Sequence, residues 1–167
     1  LYFDISKEKN IEKGDINSAI LDLRYISEIQ NKLGLIYESE KSAILALELL
    51  QQLELDNPVL ASKIGIYNQL GVLYGKQENF SKALEFYDEV LDMATDSASI
   101  NSLRNNKAVM YSQAKKYDFA VKELLKVHNY NLKKTDKVKI ARSLDNLGFA
   151  RSKIDDPLAL ENMREAL

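Results

Sequence analysis

The 167-residue sequence has no cysteine and no tryptophan, one histidine, two prolines and six glycines. Without cysteine there is no disulfide, no thiol nucleophile and no Cys-ligated zinc, and the compartment stays open between cytoplasm and periplasm. Scarce glycine and proline disfavour a turn-rich β fold. A single histidine leaves zinc short of its usual three or four ligands. No run of 18 apolar residues exists, so no segment reads as a membrane span. A net charge of −2 with 29% charged residues gives no electrostatic case for nucleic acid or an anionic membrane.

What is present is repetition. Four times an apolar helix with a small residue at its centre precedes a second helix opened by alanine. The first helices carry Leu33-Gly34…Tyr37, Leu70-Gly71…Tyr74, Ala108…Tyr111 and Leu147-Gly148. The second carry Ala43…Leu47…Leu50, Ala83…Tyr87…Val90, Ala120…Leu124…Val127 and Ala159…Met163…Ala166. Residues four and seven after the alanine share one face of an α-helix. The small residues recur at intervals of 37, 37 and 40 positions, the mark of a solenoid of helix pairs. Each lies where a neighbouring helix crosses, and a larger side chain there would push the backbones apart. Arg151 stands where the other repeats have tyrosine, so looser packing is expected near the C-terminal end.

Caps and stops place helices at about 1–13, 16–38, 42–55, 58–77, 81–94, 98–115, 118–131, 136–153 and 157–167. Gly14 ends the first and Asp15 caps the second. Asp96 or Ser97 starts the sixth helix and Thr135 or Asp136 the eighth. Both prolines, in Asn57-Pro58 and Asp156-Pro157, fall at a first helical turn, where a missing N–H costs nothing. No linker interrupts the pattern, which reads as a single array over 1–167. It divides into a truncated helix of a preceding repeat (1–15), repeats at 16–56, 57–95 and 96–134, and a truncated fourth repeat at 135–167. Leu1-Tyr2-Phe3 reads as mid-helix, and Glu161 to Leu167 runs on without a stop signal, as in a fragment of a longer protein. Apolar residues at those ends (Tyr2, Phe3 and Ile5; Leu158, Met163 and Leu167) offer a route to a homodimer.

No residue set points to catalysis or a cofactor. His128 follows Val127 just beyond the packing stripe and reads as a boundary histidine. The acidic pairs Asp155-Asp156 and Glu38-x-Glu40 fit capping and solvation better than paired-carboxylate chemistry. Gly65, Gly71 and Gly75 are strung along one helix and form no phosphate loop. The Lys-rich stretch from Lys133 to Lys139 reads as a solvated turn between helices. An enzyme is not expected.

Leu70-Gly71-x-x-Tyr74…Phe80-x-x-Ala83…Tyr87…Val90 resembles the tetratricopeptide repeat (TPR), and residues 64–97, with Tyr67, match a full unit. Other units depart from it. The first lacks about three residues between its helices, the third has Lys107 for the leucine, and the fourth lacks about one residue before Ala159. The resemblance implies an all-α, TPR-like α-solenoid of antiparallel helix pairs, wound as a right-handed superhelix. The long units are similar to those of bacterial signalling proteins, where such arrays precede a histidine-kinase or transcriptional-regulator output or form a peptide-pheromone receptor. A protein or peptide partner is therefore expected, and a structural or oligomerisation module is the competing reading.

Three residues before each small residue stand Asn31, Asn68, Asn105 and Asp145. In a TPR solenoid this position faces the concave surface, where each carboxamide offers a donor and an acceptor to a peptide bond. The same resemblance puts Leu35, Val72, Val109, Phe149 and Arg142 on that surface. Chaperone-binding TPR domains hold a carboxylate with a Lys and an Asn one turn apart. The matching places here are Asn31 and Leu35, so that clamp is not expected.

Overall fold

Short polar-capped apolar periods of this kind bury one helical stripe each, and the outcome is a chain of helices. In the structure, a computed structural model, residues 2–53 and 57–167 are described. Among them are nine α-helices and no strand. The chain divides into two compact units, Leu1–Met93 and Ala94–Leu167.

The first unit holds α1 (Tyr2–Glu12), α2 (Ile16–Lys32), α3 (Ile36–Leu50), α4 (Asn57–Lys76) and α5 (Phe80–Met93). Its core is built from Ile20 and Leu23 of α2, Ala43 and Ala46 of α3, Ile66 and Leu70 of α4, and Tyr87 and Val90 of α5, all buried. Pro58 lies in the first turn of α4, while the side chain of Asn57, the expected cap, falls outside the described residues. Asp15 caps α2 by accepting the Ser18 N–H at 3.1 Å. That hydrogen bonding, from the side chain and then the backbone of Ser18, holds the Asp15 carboxyl below its ordinary pKa.

The second unit holds α6 (Ser97–Gln113), α7 (Tyr117–Lys134), α8 (Lys137–Ser152) and α9 (Ala159–Glu165). Ala108, Ala120, Leu124, Leu147 and Ala150 form its core, with Tyr111 and Val121 packed against them. Asp96 caps α6 through Ser99 N–H at 2.7 Å, and Asp136 caps α8 through Lys139 N–H at 3.1 Å. Pro157 does not lie inside the last helix. It belongs to a turn before α9, where Asp156 accepts the Leu158 N–H at 2.9 Å.

Two further expectations are corrected. The second helix ends at Lys32 rather than 38 and the third begins at Ile36 rather than 42. Gly34 is therefore no helix crossing. It sits in the turn with φ +77, and a side chain there would meet nothing within 4 Å. The Leu35 N–H closes this turn on Gln30 O at 2.9 Å, a left-handed helix stop. The same stop recurs after α4 and α6, with Asn79 N–H on Tyr74 O at 2.9 Å and Lys116 N–H on Tyr111 O at 2.8 Å. There the left-handed residues are Glu78 and Lys115, which have no glycine's freedom.

Aligned on that turn, the small residues of the α2–α3 pair are Ser27 and Ser39, both buried. Ser27 Oγ donates to Ser39 O at 2.9 Å and Ser39 Oγ donates to Ser27 O at 2.8 Å. The apparent three-residue deletion in the first unit of the sequence repeat then vanishes. Twelve positions separate Ser27 from Ser39, as they separate Gly71 from Ala83 and Ala108 from Ala120.

Arg151 stands where looser packing toward the C-terminal end is expected, and α9, which follows it, has no buried residue. Arg151 itself is buried, its Nη1 donates to Asn162 Oδ1 at 2.5 Å, and its Nε lies 3.3 Å from Asp156 Oδ2. The guanidinium is thus flanked by a carboxylate and a carboxamide, while its Nε is buried without a hydrogen bond.

Candidate functional site: the grooves beside the first helices

Helix pairs leave a trough between successive first helices, because small crossing residues draw the second helices away behind them. In the first unit this trough lies between α2 and α4. Arg24, Glu28 and Asn31 line it from one side, Asn68, Gln69 and Val72 from the other. Asn31 belongs to the trough, but it sits two turns beyond the position that matches Asn68. Its carboxamide oxygen accepts Lys76 Nζ at 2.5 Å. Leu35 lies in the α2–α3 turn and lines no part of the trough.

The residue matching Asn68 is Arg24, which sequence reasoning missed. Its guanidinium packs against Gly65, where a Cβ would come within 2.2 Å of Nη2. Gln69 Nε2 donates to the Arg24 carbonyl at 3.2 Å. Arg24 Nε and Gln69 Oε1 are buried without a hydrogen bond. In this register the places of the chaperone-type clamp are Arg24 and Glu28, so its Lys and Asn pair is not present. The periodicity held the signal for Arg24, but only once the left-handed turn at Gly34 had set the register.

In the second unit the trough lies between α6 and α8 and has two parts. Val109, Ser112 and Gln113 of α6 and Asn146 and Phe149 of α8 surround a cavity of about 270 Å³, floored by Ala108 and Leu124. Val109 is 37% and Phe149 48% exposed, so apolar surface stands open to solvent. One turn away, Asn101, Ser102 and Asn105 face Lys139, Arg142 and Ser143. Asn146 Nδ2 donates to Asn105 Oδ1 at 3.4 Å between the two parts. The floor of the polar part is tied down, with Asn101 Nδ2 on Asn131 Oδ1 at 3.0 Å and Asn131 Nδ2 on Lys139 O at 3.1 Å.

The structure thus brings Asn105 together with Arg142, and Val109 together with Phe149. Asp145 is exposed and lines neither part. Asn146, its neighbour, faces the trough instead. A residue one step along a helix turns by about 100°, which decides which of two adjacent polar side chains points inward.

His128 is half-buried between α7 and α8, with Nδ1 3.0 Å from Ser143 Oγ. Since Ser143 Oγ donates to Ile140 O at 2.8 Å, Nδ1 is the donor to Ser143. Burial lowers the histidine's pKa, and Arg151 adds to this while Glu165 opposes it. Among the described residues no cluster of three or more His, Cys, Asp or Glu is placed to hold a metal, and no helix is long and apolar enough to cross a membrane.

Comparisons with known proteins bear on the fold. Residues 64–96 match the family model described as tetratricopeptide repeat. No curated protein matches the sequence. Among solved structures the chain is similar to BtubC (BKLC) from P. vanneervenii, with a TM-score of 0.80 at 20% identity over 99% of this chain and 69% of that one. Similarity to the apo form of RapI gives a TM-score of 0.75 at 16% identity over 99% and 68% of the two chains. The TPR-like repeats of a kinesin light chain from Podosopora anserina give 0.54 at 16% identity over 96% and 89%. The fold is all-α and TPR-like, a helical-repeat scaffold of the kind that holds other polypeptides.

Proposed function

We propose that this chain, a TPR-type helical array, is a non-catalytic scaffold that binds a peptide segment along the troughs between its first helices. One observation carries the reading. The hydrogen bond between Asn146 and Asn105 leaves the Asn105 Nδ2 protons and the Asn146 Oδ1 lone pairs with no hydrogen bond among the described residues. Donor and acceptor stand together at the middle of a partly apolar trough, which is what one peptide unit requires. Each repeat contacts mainly its neighbours, so a ligand spanning two first helices biases the angle between them.

The finer reading is a sensory or interaction segment of a larger bacterial signal-transduction protein. The long units, and their resemblance to those of bacterial signalling arrays, support it. Sequencing outward from both ends of the reading frame tests this. Kinase or DNA-binding motifs support the role, and a stop codon directly after Leu167 counts against it.

Peptide binding is tested by selecting ligands for the whole chain from a displayed peptide library. Selected peptides should lose at least about tenfold in affinity against the Asn105→Ala/Asn146→Ala variant, since two unpaired peptide groups cost roughly 1–3 kcal/mol each. Circular dichroism checks that the variant keeps its helices. Unchanged affinity would move the site off this trough.

A second reading, association of two copies, draws on an exposed stripe of α2 and its C-cap. Leu21, Tyr25, Ile29 and Leu33 recur every four residues there and are all more than two-fifths exposed. Of the end residues expected to do this, Ile5, Leu158 and Leu167 are exposed. Tyr2 and Phe3 lie outside the described side chains, and Met163 turns in against Gly148. Light scattering over a concentration series tests this reading, with Tyr25→Glu expected to hold the chain monomeric if the stripe pairs copies.

A further inference from the structure

Within one helical turn the α6–α8 trough changes from apolar to cationic. We propose that it selects an extended peptide carrying a large apolar side chain and, two residues from it, a carboxylate. This rests on the peptide-binding reading and adds the side-chain chemistry of the ligand.

The apolar cavity sits just below the size range of pockets that enclose a whole small molecule, and its Val109 and Phe149 walls over Ala108 and Leu124 suit one buried side chain. Burying Val109 and Phe149 beneath an aliphatic or aromatic group removes apolar surface from water on both partners. In the adjoining part Arg142 is exposed and makes no ion pair among the described residues, whereas Lys139 is already held by Asp136 at 3.2 Å. A guanidinium that no protein carboxylate occupies, at the edge of a carboxamide-lined trough, fits a ligand carboxylate in bidentate contact.

The spacing joins the two. Asn105, which borders the cationic part together with Arg142, is one turn from Val109, a rise of about 6 Å along α6. The Arg142 backbone is two turns, about 10.5 Å, from Phe149 on α8, a difference within the reach of an arginine side chain. An extended peptide repeats its side-chain direction every two residues, about 6.6 Å. A peptide unit gripped by Asn105 and Asn146 therefore sets one side chain into the apolar cavity and the next on the same side beside Arg142. Adjacent or three-residue spacings put the second group on the wrong side of the strand.

The probe is a nonapeptide of alternating Ser and Gly with Leu at its fourth position and Asp at its sixth. It is titrated into the isotope-labelled full chain by NMR. Shifts should concentrate on α6 and α8. Replacing the probe's leucine by alanine should weaken binding at least about tenfold, and replacing its aspartate by asparagine several-fold. Moving the aspartate to the fifth position should weaken it as much as removing the charge. Arg142→Gln, at an exposed site where folding is not at issue, should abolish the preference for aspartate and leave that for leucine.

No binding at millimolar probe, a preference for aspartate that survives Arg142→Gln, or indifference to its position would each overturn the proposal. Failures at the two levels look different. Probes that bind this trough equally well whatever their side chains sink the selectivity alone. Binding that is indifferent to Asn105→Ala/Asn146→Ala sinks the peptide reading beneath it.

Discussion

The α2–α3 and α4–α5 pairs of the first unit solve one packing problem in two ways. At the α4–α5 crossing Gly71 lies under the fully buried Tyr87, whose ring carbons would stand 2.8 Å from any added Cβ. At the α2–α3 crossing two serines take the same places and trade hydroxyl-to-carbonyl hydrogen bonds across the gap. One crossing is close because a side chain is missing, the other because two small polar side chains satisfy each other. The turns differ too, with Gly34 left-handed in one pair and Glu78 in the other. Repeat position thus constrains volume and backbone shape, and leaves chemistry free.

The largest expected effect breaks the closer crossing. Gly71→Leu drives a side chain into a ring that has no room to yield, and should cost on the order of 1–3 kcal/mol or more. Chemical denaturation measures it, and an unchanged midpoint would mean that α5 does not cross at Gly71.

The turns come next, and here the sign decides. Gly34→Ala meets no atoms, so only its left-handed backbone matters, and a loss of about 1–2 kcal/mol is expected. Were Gly34 inside a helix, as its spacing in sequence suggests, the same substitution would stabilise by about 0.8–1 kcal/mol. Glu78→Gly should act in the opposite sense, relieving strain in the α4–α5 turn by up to a similar amount.

The serine pair sharpens the comparison further. Ser27→Ala or Ser39→Ala alone should cost about 0.5–1.5 kcal/mol, the worth of one buried hydrogen bond. The double variant should cost clearly less than the two combined, because it recreates the Ala108 and Ala120 crossing of α6 and α7. Strict additivity in a double-mutant cycle would show that the hydroxyls do not act as a pair.

The smallest effect is electrostatic. Asp15 caps α2 with a carboxyl whose folded pKa is held below 3.8, whereas Asn79, which accepts Lys82 N–H at 3.3 Å ahead of α5, does not titrate. A depressed carboxyl contributes stability above its unfolded pKa and loses it as pH falls through the folded value. Hydrogen exchange should therefore show the first turn of α2 fraying below about pH 3.8 while that of α5 is unaffected by the same titration. Asp15→Asn should remove the pH dependence.

Much of this was legible in the residues. The Gly71, Ala83, Tyr87 and Val90 spacing placed α4 against α5 with no register error, Asp15 was recognisable as a cap, and Asp96 and Asp136 were each one of two candidates. Reading failed at Gly34, for a physical reason. Helical periodicity repeats every turn, so a stripe shifted by four or seven residues fits an apolar pattern nearly as well. Only the turn breaks that degeneracy, and glycine is an ambiguous sign of one, serving here in a turn at Gly34 and at a crossing at Gly71. The shift carried the site with it, making Asn31 and Leu35 stand where Arg24 and Glu28 belong.

By itself, then, the sequence determined that the chain is all helix, that the helices pair, and roughly where each pair lies. Those properties follow from local periodicity and capping, which are written within a few residues of each other. Which turn of α2 crosses α3, that Arg24 rests on Gly65, that Asn146 rather than Asp145 faces the α6–α8 trough, and that Arg142 and Phe149 flank it were decided by tertiary structure alone. Each depends on helix rotations of a fraction of a turn, and those are set by the close fit of side chains distant in sequence.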